Sequence, residues 1–444
     1  MEVEAAIIIA DTLIFQKTGK HLGTLQTNIF RGAWLGKKYE LIAEENYCSD
    51  SHIKMLGANL WEILSQALNE KVTKKNFRAV FERKDLAVKN FANQNKAVAK
   101  SNIDLELPEG QVPLSSRFYI ERPPIESQCN RAILKPGALI RIKAPRQMGK
   151  SSLMTRAIAK ATQQGYHAVT IDFQLVDRHV IKDFNLFLKW FCLTVTKGLN
   201  LANQIDEYWD NIFGSKMSCK DYFENYLLTE IQQPLVIALE EADRLFQYAD
   251  LADDFFALLR SWHEEAKSRP IWQKLRLIIA HSTEVYIPLN INQSPFNVGL
   301  SLELPEFNRS QILNLTKIHG LDWNLSQVKE LMQILGGHPF LIRVALYYLI
   351  QQKQTLTQLF SIATTETSPF SDHLRRHLWQ LREQPQLASG LQTVLTATNS
   401  VRLESITMFK LHSMGLVHLR GNEVTPRCQL YRQYFSDRLQ DYIE

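Results

Sequence analysis

The sequence predicts an α/β protein: a mostly parallel sheet with helices on both faces, an all-helical module ahead of it, and small helices with a hairpin behind it. Three observations predict this. Five short apolar runs, Ala138 to Ala144, His167 to Phe173, Leu235 to Leu239, Leu275 to Ser282 and Gly299 to Leu304, are separated by longer helical patterns. Parallel strands need connections of that length, because each must cross back over the sheet. Between the first run and the helical pattern from Ser152 lies Ala144-Pro145-Arg146-Gln147-Met148-Gly149-Lys150-Ser151, a glycine–lysine–hydroxyl turn. Near the end, Val417-His418-Leu419-Arg420-Gly421-Asn422-Glu423-Val424-Thr425 reads as two short strands about a turn, and helices on both sides make a C-terminal winged helix the expected domain.

Taken in order, residues 1 to about 85 are expected to be helical throughout. Apolar residues recur there at three- and four-residue spacing: Ala6, Ile9, Leu13, then Leu60, Ile63, Leu64 and Leu68. Tyr39 to Lys54 fits helix, short turn, helix, with small Ala43 at the close approach and Ser49 or Asp50 as cap of the second helix. Residues 71–100 hold nine Lys/Arg against two Asp/Glu and run into aperiodic Asn- and Lys-rich sequence, expected as linker. Beyond residue 305 strand signals stop, and Ser310 to Leu315, Gln327 to Leu335 and Phe340 to Ile350 read as small packed helices. The expected domains are a helix-turn-helix module (1–85), a linker (86–110), a P-loop core (111–305), a helical lid (306–371) and a winged helix (372–444).

Composition narrows the classes. With 444 residues, 45% hydrophobic and 22% charged, the chain is globular and too long for one ordinary core. A formal net charge of +5 is small for this size and demands no nucleic-acid partner. The five cysteines are scattered, without a C-x-x-C pair, as expected of reduced thiols in a cytoplasmic protein without structural zinc. Ala5 to Ile9 is interrupted by Asp11 and lacks a basic start, so it is not read as a signal peptide. No apolar run approaches the ~20 residues of a membrane span.

Ala144 to Ser151 fits the pattern G-x-x-x-x-G-K-[S/T], with Ala144 in the first glycine's place. In such a loop successive N–H groups wrap phosphates at a helix N-terminus, the lysine reaches the β/γ oxygens and the hydroxyl holds Mg²⁺. The expected ATP or ADP contacts are Ala144, Pro145, Arg146, Gln147, Met148, Gly149, Lys150, Ser151 and Ser152. About ninety residues on, the apolar run Leu235 to Leu239 ends in Glu240-Glu241-Ala242-Asp243. Acids at that strand tip belong beside the metal and the attacking water. Glu240, where aspartate is usual, is expected with Ser151 at Mg²⁺; Glu241 is the expected catalytic base, acting with Lys150. At the next strand tip His281 or Ser282 is the candidate γ-phosphate reader, and Arg260 and Arg309 are candidate charge-stabilising fingers in a nucleotide-dependent homo-oligomer.

Tyr119-Ile120-Glu121-Arg122-Pro123-Pro124-Ile125-Glu126, Pro136 to Ser151, Ser294 to Gly299, Gly336-Gly337-His338-Pro339, Lys410 to Val417 and Leu430 to Phe435 together resemble the bacterial AAA-like domain family, among the STAND-type signalling ATPases. The resemblance implies that Arg122 and Glu126 frame the adenine side and that Gly337 and Pro339 form a nucleotide-sensing lid. Loops of that family also begin Ala-Pro. Residues 1–85 resemble the N-terminal helix-turn-helix of vWA-MoxR-associated conflict-system proteins, departing from it at Asn46, where a buried apolar residue is expected, and at Tyr47, where glycine makes the turn.

The expected function is therefore an ATP-binding switch with slow hydrolysis, in bacterial regulation or conflict and defence signalling. The alternative is a DNA-binding transcriptional regulator whose ATPase controls assembly. The second helix of the N-terminal module offers Ser51, His52, Lys54 and Asn59 but no arginine to pair with guanine. Positive charge lies downstream, in Lys71, Lys74, Lys75, Arg78, Arg83 and Lys84. Docking of a protein partner is expected ahead of DNA there.

Overall fold

A computed structural model describes residues 3, 6–7, 10–11, 14, 22–46, 48–68, 70–81, 105–210, 212–282 and 295–443. Ile9, Leu13, Tyr47, Arg83, Lys84, Thr283, Ser294 and the expected linker through residue 104 lie outside these. The chain divides into two compact units, Met1–Asp104 and Leu105–Glu444.

In the first unit, helices Thr24–Trp34, Tyr39–Glu45 and Asp50–Leu68 enclose an aromatic core of Phe30, Trp34, Trp61 and Phe77. Ser49 caps the third helix, its Oγ accepting the His52 N–H at 3.3 Å. Asn46 is half-buried yet satisfied: its Nδ2 donates to Ile42 O and its Oδ1 accepts from Asn28 Nδ2, both at 2.7 Å. A polar residue is tolerated at that apolar position because both ends of its amide find partners.

In the second unit the described strands β1 (Leu139–Lys143), β2 (His167–Asp172), β3 (Leu235–Glu240), β4 (Leu275–His281) and β5 (Leu300–Glu303) form one parallel sheet in the order β2-β3-β4-β1-β5. Alternate residues divide between two cores, as the strand period of two requires. Leu139, Ile171, Leu235, Ile237, Leu277 and Ile279 enter one, with helices Phe184–Gly198 and Ala249–Glu265. Ile140, Ile142, Val236, Ala238 and Ile278 enter the other, with helices Ile125–Ala132 and Lys150–Thr162. The sheet thus has helices on both faces.

Helices Arg309–Ile318, Leu325–Leu335 and Pro339–Gln351 follow, then Ser371–Arg382, Pro385–Thr396, Ser405–Ser413, the hairpin β6 (Val417–Arg420) and β7 (Glu423–Pro426), and Gln429–Ile443. Two expected boundaries change. One apolar cluster runs from Phe307 and Ile312 through Leu374 to Leu439, so the core does not break at residue 371. Residues 105–110, expected as linker, belong to the second unit: Glu106 accepts the Ser116 hydroxyl at 2.5 Å, and its carbonyl accepts from Arg343 at 3.1 Å. All five cysteines are free, with the Cys192 and Cys219 sulfurs 3.5 Å apart in the core. No described helix is long and apolar enough to cross a membrane.

Candidate nucleotide site

β1 delivers the chain to the loop at the carboxyl edge of the sheet, the edge where open α/β sheets bind ligands. The Ala144 N–H reaches His281 O at the tip of β4 (3.4 Å), and Leu304 N–H reaches Lys143 O (3.0 Å), so neighbouring strands hold the start of the loop. Gln147 and Gly149 adopt left-handed backbone, with φ of 61° and 94°. Such conformations turn successive N–H groups inward to form an anion-binding concavity. At Gly149 there is a second reason for glycine, since a Cβ would sit 3.1 Å from the Arg122 guanidinium.

Helix Lys150–Thr162 starts directly after the loop. Lys150 Nζ donates to Ala144 O and Pro145 O, both at 3.0 Å, and so lies across the loop. Burial pulls its pKa down to about 8; Asp243, Glu241 and Glu240 oppose this and Arg146 adds to it. The loop thus faces three carboxylates from the tip of β3. Glu240 ends that strand, in register with Asp172 of β2. Glu241 is left-handed at φ 53° and leads into the turn Ala242–Gln247. Asp243 Oδ2 accepts the Ser282 N–H at 2.7 Å, joining the tips of β3 and β4.

On its other side the loop borders a cavity of about 110 Å³ walled by Phe118, Ile120, Arg122, Met148, Phe307 and Pro339. Its lining is mostly apolar and includes Gln147, Gly149 and Ser152. Arg122 Nη1 donates to Met148 O at 2.7 Å. Glu126 does not line the cavity; it fixes Arg122 by accepting its backbone N–H (2.8 Å) and accepts the Tyr119 hydroxyl (3.0 Å). Ser152 Oγ accepts the Val112 N–H at 2.9 Å.

The turn Gly336-Gly337 packs behind Phe307, which lines the cavity. A Cβ on Gly337 would lie 2.2 Å from the Phe307 carbonyl oxygen. Phe307 N–H donates to Gly337 O (2.8 Å) and Gly337 N–H to Glu306 Oε2 (3.0 Å), so the close approach is pinned from both ends. Pro339 then opens helix Pro339–Gln351 in the first-turn place where proline costs no hydrogen bond.

The structure therefore brings Arg122, Gln147, Met148, Gly149, Ser152 and Pro339 to the cavity, and Lys150 within reach of the charges of Glu240 and Glu241. Ala144, Pro145, Arg146 and Ser151 continue the loop and first helical turn outside the cavity wall. His281 is buried with its ring 5.0 Å from Phe296 and does not line the cavity. Arg260 donates to Asn297 Oδ1 at 2.5 Å, and Arg309 opens helix Arg309–Ile318.

Residues far along the chain complete the surroundings. Gly415 lies so near Pro145 that a Cβ there would be 2.8 Å from its ring. His373 Nδ1 is 2.5 Å from Gln147 Oε1. Arg427 places Nη2 3.9 Å from Met148 Sδ and pairs its Nε with Glu306. Burial and then the charge of Arg146 lower the His377 pKa to about 4. These partners stand more than 200 residues from the loop; Gly415 falls in the segment Lys410 to Val417, but no local motif announces His373, His377 or Arg427.

Comparisons with known proteins agree with this geometry. Residues 107–437 match the AAA-like domain family, and residues 1–84 match the vWA-MoxR associated protein N-terminal helix-turn-helix. An uncharacterised WD repeat-containing protein of Synechocystis sp. is 27% identical over 270 residues, 57% of this chain and 22% of the relative, so the chain spans about a fifth of that relative's length. A Walker-type ATPase of Pyrococcus abyssi superposes with a TM-score of 0.53 at 13% identity, covering 74% of this chain and 99% of its own. The ORC2 protein of Aeropyrum pernix gives a TM-score of 0.46 at 15% identity, covering 76% and 96%. With most of its length matched and the phosphate loop set at the edge of a parallel sheet, the chain belongs to the AAA-like domain family of P-loop ATPase fold and carries a vWA-MoxR-associated helix-turn-helix at its N-terminus.

Proposed function

We propose that this protein is a nucleotide-driven switch of the STAND type, working in bacterial regulation or conflict and defence signalling. ATP and ADP bind across the phosphate loop, the base in the cavity beside Arg122 and Pro339 and the phosphates against Lys150. The nucleotide bound then sets how the lid helices and the C-terminal helices with their hairpin, taken as a winged helix, close on the sheet. One observation carries this reading. Three loop residues meet the C-terminal segment: Pro145 at Gly415, Gln147 at His373 and Met148 at Arg427. Phosphates that reshape the loop must therefore act on those helices, and a ligand shifts such an equilibrium by its differential affinity for the two arrangements.

Ser151 and Glu240 supply hydroxyl and carboxylate oxygens, the hard donors that Mg²⁺ takes beside phosphates. The three carboxylates acting on Lys150 give the loop mouth the negative field such a cation needs. Bound there, the metal supplies positive charge to the phosphate oxygens. Glu241 accepts the proton of the attacking water, and turnover is slow because a switch needs a long-lived bound state.

For the N-terminal module the contacts favour a protein partner over DNA. Lys54 is paired with Asp50 at 2.5 Å, Lys74 sits 3.9 Å over the Tyr39 ring, and Arg78 lies over Trp34. Meanwhile Leu35, Leu41 and Met55 are exposed. Cations committed within the module are poorly placed to neutralise phosphates.

The deciding measurement is hydrogen exchange of the full chain with ATP and with ADP. Protection across residues 336–350 and 410–435 should differ between the two, and Pro339→Ala should shrink the difference. Identical protection in both states would make the nucleotide a structural ligand only.

A further inference from the structure

His373 occupies a joint between three segments. It lies on helix Ser371–Arg382, is 4% exposed, and uses both ring nitrogens. Nδ1 is 2.5 Å from Gln147 Oε1 in the phosphate loop, and Nε2 is 2.6 Å from the Tyr431 hydroxyl in the last helix. Since the Gln147 oxygen can only accept, Nδ1 carries the ring proton, and Tyr431 donates to Nε2. Burial, with His377 and His338 nearby, keeps the imidazole neutral by holding its pKa well below the usual range.

What it grips is the unusual residue of the loop. Gln147 carries a Cβ yet stands at φ 61°, a region that side chains other than glycine's rarely occupy. Such a conformation persists only where the surroundings over-determine it. The N–H groups of an anion-binding loop point inward only while that backbone is held. Nothing about apolar packing calls for an imidazole at this place, whereas a hydrogen bond to Gln147 does.

We propose that His373 is a positioning residue for nucleotide binding: by bonding Gln147 it holds the phosphate loop in its anion-binding shape, and through Tyr431 it ties that shape to the last helix. This inference rests on the nucleotide reading above. Phosphate affinity and the packing of the C-terminal helices then depend on one imidazole.

Calorimetric titration of the full chain with ADP and Mg²⁺ tests it. His373→Asn keeps a side-chain N–H near the place of Nδ1, whereas His373→Gln extends its amide toward Tyr431 and away from the loop. The Asn variant should bind within about threefold of wild type and the Gln variant about tenfold more weakly, although each gives up one buried hydrogen bond and both should melt lower than wild type. Adding Gln147→Gly to His373→Gln should restore affinity, because glycine takes positive φ unaided. Equal affinity in all variants, or no recovery with the loop glycine, overturns the proposal and leaves His373 a packing residue. Failure of the wild-type chain to bind ADP instead overturns the nucleotide reading itself.

Discussion

The two sides of the phosphate loop are built from unlike material. On the sheet side stand Lys150, Glu240 and Glu241, half-buried charges at the end of β3, just past it, or at the first turn of a helix. On the helical side stand Arg122, His338, His373 and Arg427, all buried polar groups pressed against an apolar core. The sheet side keeps its geometry because parallel strands fix it, and Lys150 lies across the loop bonded to Ala144 O and Pro145 O. On the helical side Arg122, His373 and Arg427 keep their geometry through bonds to Met148 O, Gln147 Oε1 and Glu306, and losing such a bond is costly in low dielectric. Chemistry is therefore expected to fail on substitution at the sheet side and fold coupling at the helical side.

Four perturbations sharpen or break that contrast, from the largest effect to the smallest. Lys150→Ala should remove ATP binding, a loss of about 3 kcal/mol or more, while circular dichroism stays native; unchanged affinity by calorimetry would remove Lys150 from the site. Glu241→Gln should leave ATP bound but slow turnover roughly 100-fold, as loss of a general base does. Equal turnover would pass the role to Glu240 or Asp243.

On the helical side, Gly337→Ala should cost about 2 kcal/mol of stability in denaturant melts, because its Cβ meets backbone rather than a movable side chain. A neutral result would mean that the turn can yield. Last comes pH. Burial holds His319 and His377 at about 4 in the folded protein, below the unfolded value of 6.5. As pH falls below 6.5 the unfolded chain takes protons that the folded chain refuses, so stability is steady above 6.5 and declines between 6.5 and 4. At pH 5.5 each of these imidazoles should cost about 1.4 kcal/mol. Unchanged stability between pH 7 and 5.5 would show that these imidazoles are not held neutral by burial.

The sequence by itself determined the sheet side. Five strands fall where short apolar runs placed them, from Leu139–Lys143 to Leu300–Glu303, and the loop and Glu240-Glu241 follow from motif and strand end. Those signals are local: a strand announces its burial within six residues, and a phosphate loop needs eight in fixed order. The turn ahead of helix Pro339–Gln351 was legible for the same reason, through glycines and a proline in a row. Only the tertiary structure decided the helical side. The bond from His373 to Gln147 spans 226 residues, and the contact from Arg427 to Met148 spans 279. Helix periodicity says that a face is buried but not against what. The merger of lid and C-terminal helices into one core, the capture of residues 105–110, and the choice of His373 as the loop's partner depend on how whole helices pack, which no short stretch of sequence encodes.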